Sequence, residues 1–227
     1  VTFGFPIGET QRINFGMNIE RTEIREGFAA AQEISEFIER NGPDALNFKA
    51  SLSWIRSTLN RGVFADRGSS QSIGLTFAVP GSDLEFYRLT YQGERYFPLS
   101  RIFTLKLRTE LGYGDSYGDT PALPFYEHFF AGGFGSIRGF ENSTLGPRST
   151  PPLDENGNPI IFRSFDNDGR FGQPFGGNLM LEFSAEVIFP LPFVEDNRQF
   201  RPAFFFDVGN VFNTECPTVS TNCFDLS

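Results

Sequence analysis

Histidine, cysteine and tryptophan are nearly missing from this 227-residue chain, which has one His, two Cys and one Trp. His128, Cys216 and Cys223 leave little for a His/Cys metal site and fall one short of the four ligands of a structural zinc centre. Positive charge is also short. Lys plus Arg is 19 against 28 Asp plus Glu, a net charge of −9, so phosphate-backbone binding to nucleic acid has little to rest on. No apolar run approaches the roughly 18 residues of a transmembrane helix, and the longest obvious one is 203–206. No secretory leader opens the chain and no Met starts it. The chain therefore reads as an internal part of a longer protein.

What is plentiful is phenylalanine. There are 29 Phe and 24 Gly in a chain only 39% hydrophobic. Many Phe and Gly at low total apolarity point to strands with one apolar face, joined by turns. The pattern bears this out along the chain. In residues 102–111, Phe103, Leu105, Leu107 and Leu111 alternate with Thr104, Lys106, Arg108 and Glu110. In 179–189, Leu181, Phe183, Ala185, Val187 and Phe189 oppose Glu182, Ser184, Glu186 and Ile188. Residues 1–5, 12–20, 48–54, 73–79, 86–96 and 203–212 complete about eight predicted strands.

Most of these runs match the 9–11 residues of a tilted transmembrane strand, longer than the usual soluble strand of about 5–6. Charge stays on one face and Phe and Leu on the other, as a lipid-facing band around a polar lumen requires. The connections give a second test. The two longest, 25–46 and 114–177, fall on the same rim, while the other rim has short or medium turns. An up-and-down transmembrane β-barrel explains that parity; a soluble β-sandwich does not require it. Residues 29–40 break the β pattern with helical spacing at Ala30, Ile34, Phe37 and Ile38, and are predicted to form a short helix capping the rim.

The loop 114–177 is long enough to demand a role. It carries an aromatic run, then Gly132–Gly133–Phe134–Gly135–Ser136–Ile137–Arg138–Gly139–Phe140. Glycine permits a tight backbone, Phe140 packs, and Arg138 must find a carboxylate. Other readings fail. Gly133, Gly135 and Gly139 miss dinucleotide-loop spacing. Asp154, Asn156 and Asn158 begin a calcium-like pattern, but Pro159 replaces its glycine and Phe165 its bidentate acid. His128 has no nucleophile or metal partner in the sequence and is best read as a packed loop histidine. No enzyme constellation and no cofactor motif is found.

Cys216 and Cys223, so close in an otherwise Cys-free chain, suggest a local disulfide and an oxidising compartment. Closing so short a loop should contribute on the order of 2–3 kcal/mol at most. Mass spectrometry of protein from its native compartment should find both thiols protected until a reductant is added. Function should survive the double Cys→Ser change.

The segments 124–140, 142–148 (Asn-Ser-Thr-Leu-Gly-Pro-Arg), 176–193 and 204–212 (Phe-Phe-Phe-Asp-Val-Gly-Asn-Val-Phe) together resemble the BamA family, the barrel subunits of the bacterial β-barrel assembly machinery. The resemblance runs over essentially the whole chain. It implies a sixteen-stranded outer-membrane barrel following POTRA domains, with residues 1–227 as a partial barrel domain holding roughly the sixth to thirteenth strands. POTRA domains, first strands and last strands would lie outside it. It implies that the long loop folds back into the lumen and that the motif Ile137, Arg138, Gly139, Phe140 presents Arg138 to Glu186 and Asp207. The implied function is assembly and insertion of β-barrel proteins into the outer membrane of a Gram-negative bacterium, without enzyme chemistry. Unfolded clients, accessory lipoproteins and outer-membrane lipid would be its partners. A two-partner secretion or autotransporter-assembly barrel is the nearest rival reading, and a passive porin the rival of another class.

Overall fold

The computed structural model describes residues 1–27, 30–62, 64–152, 172–190 and 201–214. Alternation in the sequence becomes eight strands: β1 Thr2–Gly8, β2 Gln11–Glu23, β3 Asp44–Ser57, β4 Gly68–Ala78, β5 Phe86–Pro98, β6 Thr104–Ser116, β7 Leu179–Ile188 and β8 Ala203–Phe212. They form one antiparallel sheet in chain order, each strand paired with the next. Among the described residues β1 and β8 are not paired with each other, so the sheet is an open arc of barrel wall. Its strands reach 14 residues, more than a bilayer's hydrocarbon core needs, and therefore run into the rims.

Register sorts the side chains into two faces. Outward rows match apolar with apolar: Phe15 with Leu52, Leu52 with Leu75, Leu75 with Leu89, Leu111 with Leu181. Inward rows match polar with polar: Asn14 with Ser53, Gln92 with Glu110, Lys106 with Glu186, Ser184 with Asp207. No second sheet covers the outer face among the described residues, and Phe183, Phe206 and Met17 are 48%, 68% and 61% exposed. Such an exposed apolar surface belongs in lipid. Phe183→Arg near mid-bilayer should cost about 2–4 kcal/mol in barrel unfolding. The same change at inward Ser72 should stay within about 0.5 kcal/mol. Equal costs at the two positions would contradict the assignment of faces.

Most element bounds differ from the sequence reading by a few residues, three of them as follows. The strand expected from residue 102 starts at Thr104, because Ser100 Oγ accepts hydrogen bonds from the Ile102 and Phe103 amides at 3.2 and 3.0 Å and holds a turn. The first strand continues through Pro6 to Gly8. The missing N–H is tolerated because the register shifts between Pro6 and Gly8. The helix α1 spans Gln32–Asn41, and Ala31, extended at φ −61°, ψ 149°, precedes it.

The buried core lies at the long-loop rim and inside the arc. Ala45, Ala78, Leu84, Phe86 and Leu123 form one cluster, with Phe37 of α1 and Tyr126 of the loop packed on it. Phe129, Ala131, Met180 and Val211 form the second. The helix thus caps the rim. It is also joined to the loop 117–178, since Glu33, 8% exposed, accepts from the Thr150 amide and hydroxyl, the latter at 2.6 Å.

Candidate functional site

After β6 the chain turns into the arc instead of crossing directly to β7. Phe129 pairs with Gly177 and packs over the inner face at Gly112, where an added Cβ would lie 2.6 Å from the Phe129 ring. A residue with a side chain at 112 would push the loop off the wall. Gly132 and Gly133, at φ +108° and +101°, then fold the tip back on itself. The Gly132 amide donates to Ser136 Oγ at 2.9 Å and the Gly133 amide to the Ile137 carbonyl at 3.1 Å. This hairpin drives Ile137, 3% exposed, against β8 at Gly209.

Arg138 follows. Its Nε and Nη2 donate to Asp207 Oδ2 and Oδ1, both at 2.7 Å, and its own amide donates to Oδ2 at 3.1 Å. Nη1 lies 2.7 Å from Glu186 Oε1, and Nη2 donates to Ser184 Oγ at 3.0 Å. The guanidinium centre sits 3.8 Å from the centroid of the inward Phe205 ring. Two carboxylates, a hydroxyl and a ring so surround one planar cation that cannot shed its charge. Phe140 does not pack as expected. Gly139, at φ +92°, turns the chain off the wall and leaves Phe140 53% exposed, so Ile137 supplies the apolar contact instead.

Two further anchors were missed in the sequence. Wall residue Arg108 donates to the loop carbonyls of Gly135 and Ser136 at 2.5 and 3.1 Å and lies 3.5 Å from Glu182, which also accepts from Ser136 Oγ. Nearer the rim, Glu127 of the 3-10 turn Phe125–Glu127 reaches Lys49 at 2.5 Å and Arg88 at 3.0 Å. Lys49 also pairs with Glu20 at 2.9 Å, and Arg88 lies over the Phe129 ring at 4.4 Å. For the wall residues Lys49, Arg88 and Arg108 the sequence signal is the inward parity of their charges; Glu127, on a loop turn, carries none.

His128 is buried; its Nδ1 lies 3.0 Å from the Phe175 carbonyl and its ring meets the Phe175 ring edge-on. Burial, with a smaller push from Arg88, lowers its pKa below the ordinary value, so the folded loop favours the neutral ring. Stability from a depressed imidazole is present above the unfolded value near 6.5 and lost as pH falls below it. Protease cleavage within 117–178 should therefore accelerate from pH 7.5 to 5.5, and His128→Asn should flatten that change. Among the described residues no group of three or more His, Cys, Asp or Glu is placed to hold a metal. Cys216, Cys223 and the Asp154–Asn158 pattern lie outside the described residues.

The Omp85 superfamily domain matches residues 1–224. Outer membrane protein assembly factor BamA of Neisseria meningitidis serogroup B is 33% identical over 94% of this chain, which spans 26% of that protein. A SAM50-like protein of Schizosaccharomyces pombe is 26% identical over 86% of the chain and 34% of its own length. The crystal structure of Haemophilus ducreyi BamA lacking POTRA domains 1–3 superposes with a TM-score of 0.78 at 27% identity, covering 94% of this chain and 41% of that one. An antiparallel meander with a lipid-type outer face, a charged inner face and a long loop turned inward is thus matched over nearly its whole length, and the chain belongs to the Omp85 superfamily.

Proposed function

We propose that this chain is wall and inner loop of a barrel that folds β-barrel proteins and inserts them into the outer membrane of a Gram-negative bacterium. Its kinship to a protein named as an outer membrane protein assembly factor over nearly all of its length carries the reading. The chemistry agrees: the role asks for a shaped, anchored wall and no bond-making groups. Unfolded β-barrel clients, accessory lipoproteins and the surrounding lipid are its proposed partners. Within this role Ile137 and Arg138 of the loop motif, with Glu186 and Asp207, keep the loop in the lumen, and Gly139 turns the chain away beyond them.

Reconstitution tests the proposal. The full-length protein in liposomes should speed the folding of an added unfolded barrel client, read as protease-protected, heat-modifiable product. Large steady ion conductance without such acceleration would instead mark a passive porin. Export of a dedicated passenger without client folding would mark a secretion barrel.

A further inference from the structure

Charge is divided along the barrel axis. On the short-turn rim, residues 9–12, 56–67 and 94–101 with Arg201 hold seven arginines against three acids among the described residues. The long-loop rim is the reverse: residues 20–26, 30–44, 83–85 and 115–119 hold eleven acids against three arginines. The whole chain is acidic, so the arginine-rich rim is set against its average.

Two of these arginines are outward by register. Arg56, next to last in β3, shares the face of Trp54 and pairs across to Gln11 and Gln71. Arg95, near the end of β5, shares the face of Tyr91 and Phe97 and lies opposite Leu107. Both are exposed, and neither makes an ion pair among the described residues. Arg95 instead lies over the Phe97 ring at 4.6 Å. Beyond it the β5–β6 turn exposes Leu99 and Ile102, 59% and 57%, on either side of Arg101. The chain's only tryptophan, its Nε1 donating to Gln11 at 3.2 Å, marks the edge of the apolar band beside Arg56.

Apolar band, then aromatic ring, then outward arginine is the order of hydrocarbon, interface and phosphate in a leaflet. In an outer-membrane barrel the short turns face the periplasm. We infer that the short-turn rim binds anionic phospholipid head groups of the periplasmic leaflet, with Arg56 and Arg95 as its outward cations. The Leu99 and Ile102 side chains enter the same interface. This needs the barrel but not the assembly role.

Trp54 is a built-in reporter. Full-length protein is reconstituted in phosphatidylcholine containing either dibrominated phosphatidylglycerol or dibrominated phosphatidylcholine. The emission lost in Trp54→Phe is taken as the Trp54 signal. Brominated phosphatidylglycerol should quench it at a mole fraction about fivefold lower, the ratio that one cation beside an anionic surface supplies. The preference should collapse near 1 M salt and in Arg56→Gln/Arg95→Gln, and persist in Arg56→Lys/Arg95→Lys. Folding of each variant is read from heat-modified gel mobility. Equal quenching by the two lipids, or a preference that survives the Gln changes, would overturn the inference. So would Gln variants that lose binding of an acidic periplasmic protein while wild-type quenching shows no lipid preference.

Discussion

Replacing Arg138 with alanine is expected to free the loop tip and depress client assembly more than any other single change in the lumen. Asp207 is 3% exposed at its side chain and accepts three hydrogen bonds from residue 138, two of them from the guanidinium. Removing the cation strands that carboxylate, and breaking a buried pair from one side costs about 3–5 kcal/mol. Glu186 and Ser184 lose the same partner. Arg138→Lys keeps the charge but cannot meet both Asp207 oxygens and Glu186 from a single ammonium, so it should fall between wild type and alanine. Asp207→Ala should act in the same direction. In a double-mutant cycle, Arg138→Ala/Asp207→Ala should cost less than the sum of the singles. Full additivity would mean that the two residues act apart and that the loop is held elsewhere.

Glu127 carries the second large effect. It is the loop's own carboxylate, 9% exposed, against one lysine and one arginine of the wall. Glu127→Ala should cost about 1.5–3 kcal/mol in all, less than at Arg138, because Lys49 keeps Glu20 and Arg88 keeps the Phe129 ring. Glu127→Lys should do more damage, since it places three cations together, and Arg88→Glu in the same chain should recover part of it. The readout is the rate of proteolysis within 117–178 beside barrel unfolding. A loop as protected in Glu127→Lys as in wild type would show that this contact holds nothing.

Six of the eight strands announced themselves by clean alternation, because a strand between lipid and water must sort its side chains by face; 203–212 alternates less cleanly, and 1–5 is too short to show it. Boundaries slipped where a side chain captured backbone amides, as Ser100 does before β6. At the site, Arg138 stood out because its neighbours are glycine and apolar residues. Glu127 did not. Its partner Lys49 is 78 residues away, and nothing local links a carboxylate in an aromatic run to a cation on another strand. Phe140 misled because a neighbouring glycine's left-handed backbone, not hydrophobicity, decides which way it faces.

The anchors also differ in which strands they join. Glu127 engages β3 and β5, Arg108 brings in β6, and Arg138 brings in β7 and β8. One length of chain thus acts as a diagonal brace across a curved panel of wall, pinned at two depths by couples of opposite polarity. A braced panel resists shear between its staves and moves as a plate. Any flexing of the complete cylinder must then concentrate in staves the brace does not reach. On this segment the strands that those anchors leave out are β1, β2 and β4, and β4 lies between two that they hold.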